Sequence, residues 1–193
     1  VAGTHFLPYM YLGAKHMVTG YDHLLFLAGV IFFLYRFKDV ALYVSLFAVG
    51  HSLTLLIGVL GGIRVNPYAV DAVIGLSVVY KAFENIGGFR LLGFSLDTRW
   101  AVFLFGLVHG FGFAEVLRGM SLPDEGLVRC LLSFNLGVEA GQLAIVGCLV
   151  WPMLRLRGTS SYEPFVRRAS WCLLGLGVAW FCDRIFGLGW MPF

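Results

Sequence analysis

Charged side chains are scarce in this chain: Asp, Glu, Lys and Arg make up 13% of its 193 residues, about half their share in an ordinary soluble domain. A water-soluble surface needs more than that, so a soluble globular fold is excluded. The net charge is only +3, with no run of like charges and no basic patch interleaved with aromatics, which excludes a nucleic-acid partner. No GxxxxGK[ST] phosphate loop occurs, so this polypeptide binds no nucleotide through such a loop and does not itself hydrolyse ATP. HExxH is also missing, and Cys130, Cys148, Cys172 and Cys182 form no CxxC pair. Three of these cysteines fall in apolar stretches, where the thiol behaves as a small hydrophobe and says little about redox compartment. The chain begins at Val1 without a signal-peptide pattern, which leaves open whether an upstream segment was removed.

What fills the space is apolar. Hydrophobic residues make up 59% of the chain, mean hydropathy is +0.84, and the apolar residues come in repeated blocks of about 20, the length a helix needs to cross a hydrocarbon layer. Backbone groups in lipid must be satisfied within the segment, and the blocks are too long and continuous for barrel strands. The expected fold is therefore all-α: a polytopic integral membrane helical bundle with about six transmembrane helices. These spans fall at 17–35, 40–60, 68–86, 99–118, 127–151 and 169–187, in a single domain covering 1–193 with an interfacial lead-in at 1–15. Trp100, Trp151, Trp171 and Trp190 fall near span ends, where an amphipathic ring prefers the headgroup layer.

Basic residues in the short loops give an orientation. Arg36, Lys38, Arg90, Arg99, Arg155, Arg157, Arg167 and Arg168 lie on one side, against Lys15, Arg64, Arg118, Arg129 and Arg184 on the other. Since Lys and Arg accumulate on the cytoplasmic side, both termini are expected outside the cytoplasm.

Ionisable residues inside spans are costly and point to function by default. His16, Asp22 and His23 open the first span, with the two histidines seven residues apart and nearly eclipsed on one helical face. His51 lies in the second span and His109 in the fourth, both running in one direction. The fifth carries Asn135, Glu139 and Gln142, which share a stripe by i, i+4, i+7 spacing. With the N-terminus outside, His16, Asp22 and His23 occupy the outer half, Asp71 lies just below the outer mouth, and His51, His109 and Glu139 lie near mid-membrane. Four of the five histidines fall in this set, and imidazole with carboxylate suits first-row divalent transition metals. The expected metal ligands are His16, Asp22, His23, His51, His109 and Glu139, with Asp71, Asn135, Gln142 and Glu115 as secondary candidates. Asn135 and Gln142 also suit interhelical hydrogen bonding, while Glu84, Glu115 and Asp183 lie close enough to span ends to reach the headgroups. Lys81 is expected to snorkel toward the cytoplasm or to pair with Glu84 at i+3, and the Gly-Phe-Gly run after His109 to permit close helix approach.

These residues resemble the HupE/UreJ family of nickel and cobalt permeases. His16 through Asp22-His23 matches its HxxxxxDH signature. The segments Gly50-His51-Ser52-Leu53-Thr54-Leu55, Leu107-Val108-His109-Gly110 and Phe134-Asn135-Leu136-Gly137-Val138-Glu139 are similar to further family blocks, in the same order. Glu115 stands one residue nearer the histidine than the glutamate of some members' Gly-spaced acidic motif. The resemblance implies a metal transporter that needs His16, Asp22 and His23, with His109 as a further membrane histidine.

The expected function is passage of Ni²⁺ or Co²⁺, the transported substrate, across the bacterial inner membrane through a His/Asp/Glu-lined site in the outer half of the bundle, without enzymatic activity. The chain's expected partners are membrane lipids and the metal ion, with homo-oligomerisation or membership of a larger membrane complex left open. Two other readings are an intramembrane zinc hydrolase using Asp22, His23, His51 and His109, and a non-catalytic accessory subunit, including one in which His51 and His109 hold haem.

Overall fold

The computed structural model describes residues 6–32, 37–93, 97–119 and 126–190, and those residues are overwhelmingly helical. In order the helices are α1 (Phe6–Thr19), α2 (Tyr21–Ile31), α3 (Phe37–Leu60), α4 (Pro67–Asn85), α5 (Gly88–Leu91), α6 (Thr98–Gly119), α7 (Leu127–Arg157) and α8 (Tyr162–Phe186). Four of them, α3, α6, α7 and α8, are by themselves long and apolar enough to cross a membrane. The chain is thus an α-helical membrane protein.

Two further runs traverse the bundle. Helix α4 has 19 residues and carries Asp71, Lys81 and Glu84, charges that lower its hydropathy without shortening it. The other run is composite. α1 has 14 residues and α2 has 11, together about 37 Å at 1.5 Å per residue, more than the hydrocarbon thickness of roughly 30 Å. The expected first span at 17–35 differs from the structure in that the lead-in is a helix of the bundle and α1 followed by α2 runs the bundle's length. Residues 33–36 and 120–125, which include Arg36 of the first expected loop, lie outside the described residues. The expected polar stretch between the fifth and sixth spans is mostly helix, because α7 extends to Arg157 and α8 begins at Tyr162.

Three close helix pairs form the frame: α3 with α6, α1 with α7, and α4 with α8. Each has glycine on its seam. A Cβ on Gly50 would meet the Phe103 carbonyl at 2.6 Å, and one on Gly177 would meet the Val79 nitrogen at 3.0 Å. In the α1–α7 pair, a Cβ on Gly137 would overlap the Met10 carbonyl, and one on Gly13 would overlap that of Phe134. Only glycine allows backbones to approach so closely, the usual way membrane helices associate in the absence of a hydrophobic drive. The Ser133 hydroxyl donates to the Phe6 carbonyl across the same seam.

The seams also fix direction. Phe6 meets Ser133 and Met10 meets Gly137, so α1 and α7 are parallel. Phe47 meets Gly106 and His51 meets Gly110, so α3 and α6 are parallel as well, whereas Asp71 pairs with Arg184 across antiparallel α4 and α8. The bundle has one end marked by Asp71 and Arg184 and another marked by Lys81 and Glu84. Helix α2 runs through the middle and touches α1, α3, α4, α7 and α8. Its last carbonyls would be orphaned, but Asn85 donates to Gly29 O at 2.8 Å, Arg157 to Ile31 O at 3.3 Å, and the Tyr162 hydroxyl to Phe32 O.

The seams predict a sharp contrast within α7. Gly137→Val, which forces α1 away, is expected to cost about 1–3 kcal/mol or more through overpacking, read as a drop in thermal stability in detergent. Gly147→Val, on an exposed face with nothing within 4 Å of the new Cβ, is expected to leave the transition nearly unmoved.

Candidate metal site

The composite crossing brings its two histidines together by breaking. Gly20 stands between α1 and α2 with φ −76° and ψ 105°, an extended conformation that ends one helix and begins the next. On an uninterrupted helix, residues seven apart are about 10 Å apart along the axis. Here the ring centroids of His16 and His23 are 4.9 Å apart, so the expected eclipsed arrangement is corrected to a corner. The corner has room only for glycine: a Cβ at position 20 would stand 2.7 Å from Asp22 Oδ1 and 2.8 Å from His23 Nδ1.

The other two helix pairs carry histidines to the same level or pack around it. His51 of α3 lies 5.6 Å from His23 and 6.2 Å from His16 between ring centroids, and His109 of α6 lies 5.2 Å from His23. His16, His51 and His109 are each nine or ten residues from a helix terminus at the Asp71 end, about 13–15 Å down the axis. The division into an outer His16–Asp22–His23 site and a deeper His51–His109 site is therefore corrected, because α1 carries His16 down to the level of the others. Ligand atoms of His16, His23 and His51 all lie within 4.8 Å of one another.

The nitrogen inventory fits a metal. Asp22 Oδ1 takes the hydrogen bond of His23 Nδ1 at 2.9 Å, and the Phe105 carbonyl takes that of His109 Nδ1 at 2.8 Å. Both acceptors can only accept, so each ring in its neutral form presents Nε2 as a lone pair, the arrangement in which an outer partner orients a metal-binding imidazole. Nε2 of His16, His23 and His109, and both nitrogens of His51, are buried without a hydrogen-bond partner among the described residues. Each such orphan costs on the order of 1–3 kcal/mol. An ion placed among His16, His23 and His51 would use one lone pair from each ring.

Aromatic rings close the cluster on both sides. Toward the Asp71 end, Phe113 packs 3.7 Å from His16 between centroids and stacks on Phe134 at 4.8 Å. Toward the Lys81 end, Phe47 lies 5.0 Å from His109 and Phe26 lies 5.9 Å from it, with Phe105 against Phe26. These rings escaped the sequence reading, since phenylalanine in an apolar span carries no signal beyond hydrophobicity. A positional clue existed, because Phe26, Phe47, Phe105 and Phe113 each lie three or four residues from a histidine.

The remaining candidates separate. Glu139 lies on the exposed face of α7 with Leu136 and Leu143, whereas Gln142 is fully buried. The shared stripe is split because the two positions are about 60° apart around the helix, enough to put one on each side of the packing boundary. Gln142 donates to Val44 O at 3.3 Å, as interhelical glue would. Asn135 has its side-chain atoms buried without a partner among the described residues. Asp71 is half-exposed and pairs with Arg184 at 3.4 Å, and Glu115 pairs with Arg118 at 3.3 Å. Lys81 bonds Glu84 at 2.6 Å, as its spacing suggested. Asp183 turns inward to the protein. It is 1% exposed and accepts from the Trp190 amide at 2.5 Å, because the chain folds back after Gly187. Gly110, after His109, does allow close approach: a Cβ there would overlap Thr54 and His51.

The profile of the HupE / UreJ protein family matches residues 1–184. The chain belongs to the HupE/UreJ family. No curated protein and no solved structure matched it. The four clustered histidines of this HupE/UreJ chain are those of its first, second and third family-like blocks, and Gly20 lies inside the HxxxxxDH signature.

Gly20→Ala is predicted to push the Asp22 carboxylate and the His23 ring out of place. Cobalt bound to the purified protein, followed by its visible absorption, is expected to weaken by at least about tenfold, the scale of losses when outer-shell support of a ligand is removed. Gly119→Ala, with nothing near its new Cβ, serves as the comparison and is expected to bind as the parent does.

Proposed function

We propose that the protein moves Ni²⁺ or Co²⁺ across the bacterial inner membrane, and that the ion passes through the cluster of His16, His23, His51 and His109, with Asp22 as the adjoining carboxylate. The observation that carries this reading is the set of buried imidazole lone pairs facing one another in mid-bundle. Membership of a family generally associated with nickel and cobalt transport supports the same direction.

The chemistry is balanced for passage rather than storage. A dication that loses its water shell needs replacement ligands of moderate field, and neutral imidazoles supply them. Asp22 alone among the nearby groups contributes formal negative charge, so the ion is held without being fully neutralised, and binding stays weak enough for release. Access from the extracytoplasmic side, as the basic-residue bias suggests, would be through the Asp71 end, where Phe113 and Phe134 stand between the cluster and the outside.

A hydrolase would need a free carboxylate to activate water. Asp22 is engaged by His23 and Glu139 faces outward. Haem ligation would need a slot between His51 and His109, and Phe47 packs against both.

In cells depleted of other importers, His23→Ala and Asp22→Asn are expected to reduce nickel or cobalt uptake by about tenfold or more, while Glu139→Gln keeps it. Normal uptake in both of the first two variants would sink the site assignment.

A further inference from the structure

At the Lys81 end a cavity of about 480 Å³ opens among α3, α4, α5, α6 and α8. Its floor is neutralised: Lys81, 5% exposed, bonds Glu84 at 2.6 Å, and Glu84 also accepts from the Thr98 hydroxyl. The remaining charges are Arg90 of α5 and Arg167 of α8 against Glu163. Neither arginine has an ion-pair partner among the described residues. An adjoining hollow of about 430 Å³ shares Glu163 and Arg167 and adds Arg168 and Trp171. Three guanidiniums against one carboxylate make this rim a place for an anion.

We propose that this rim binds the phosphodiester of an anionic phospholipid. A guanidinium presents a planar fork that matches phosphate oxygens two at a time, and basic pockets between membrane helices are suited to acidic headgroups. The surroundings select a lipid over a free anion. Leu91 is 88% exposed and Leu92 63% exposed, directly beside Arg90, giving acyl chains an apolar ledge. Trp171, exposed on α8 beside Arg168, is the residue type that settles at headgroup depth. Arg90 and Arg167 come from elements joined through the cavity floor, so a bridging phosphate would tie α5 to α8. The proposal stands apart from the histidine site and holds whatever the cargo.

The test uses the full chain purified in detergent, with phosphatidylglycerol, phosphatidylcholine or inorganic phosphate added. Phosphatidylglycerol is expected to raise the melting temperature by about 5 °C, the scale set by two interfacial cations in a chain of this size. Phosphatidylcholine and inorganic phosphate are expected to do much less. The double variant Arg90→Gln, Arg167→Gln is expected to lose most of the rise, while Arg129→Gln, near the other end, keeps it. Should the double variant not fold, Arg90→Gln alone, on exposed α5, is expected to lose part of the rise and to retain less phosphatidylglycerol in native mass spectra. An equal rise in parent and arginine variants overturns the proposal, as does an equal rise with phosphatidylcholine. Reproduction of the effect by inorganic phosphate overturns the lipid as the source.

Discussion

The interruption at Gly20 is the constraint on which the rest depends. A continuous helix from α1 into α2 would keep His16 and His23 about 10 Å apart along its axis, and no arrangement of α3 and α6 could reach both. Ending α1 before the corner and starting α2 after it converts that separation into an edge contact. Backbone irregularity at membrane depth is tolerated where it is buried in protein, and broken helices are a recurring way to build a substrate site in mid-membrane. Here the break also presents Asp22 to the Nδ1 of His23, so one corner sets both the position of a ring and its tautomer.

The frame around the corner explains why the histidines can remain unpaired. Glycine seams hold α3 to α6, α1 to α7 and α4 to α8 by backbone contact, and Thr54 adds a bond of 2.7 Å to Leu107 O one turn from His51. Rings of Phe113 and Phe134 on one side, and of Phe26, Phe47 and Phe105 on the other, keep the surroundings apolar. An imidazole in such a setting has no protein donor beside it among the described residues, and its lone pair stays available. The aromatic layers thus help make the site and also close it.

Much of this was legible in the residues. Block length and scarcity of charge gave an all-helical membrane bundle, and exposed Trp100 and Trp151 lie toward helix ends, whereas Trp171 lies well inside α8 because that helix begins at Tyr162 and not near residue 169. Histidines among apolar residues flagged the cluster without any geometry. Three features were hidden for physical reasons. Helix α1 mixes Pro8, Tyr9, Tyr11 and Lys15 into its pattern and so reads as an interfacial stretch; its place in the bundle comes from the tertiary seam of Gly13 with α7. Gly20 is one of 25 glycines, and spans tolerate glycine without breaking, so its identity did not announce a corner. Glu139 falls on the exposed face, apart from the histidines, because i, i+4, i+7 spacing defines a broad stripe, and only packing shows where along its width the buried face stops.

The distribution of ligands over the frame carries a final consequence. His16 belongs to the α1–α7 pair, His51 and His109 to the α3–α6 pair, and His23 to α2, which touches both pairs and α4. Within each pair the seam is too close for sliding without backbone collision, so the pairs move as units if they move at all. A ligand set divided among separate units is complete only in one relative placement of them. Displacing α1 with α7 removes His16 and, through Phe113 and Phe134, opens the layer toward the Asp71 end. Displacing α3 with α6 would remove two histidines, take Phe47 and Phe105 from the opposite layer and also part Phe113 from Phe134. For the proposed passage, loss of candidate ligands and opening of an aromatic layer would then coincide whichever pair moved.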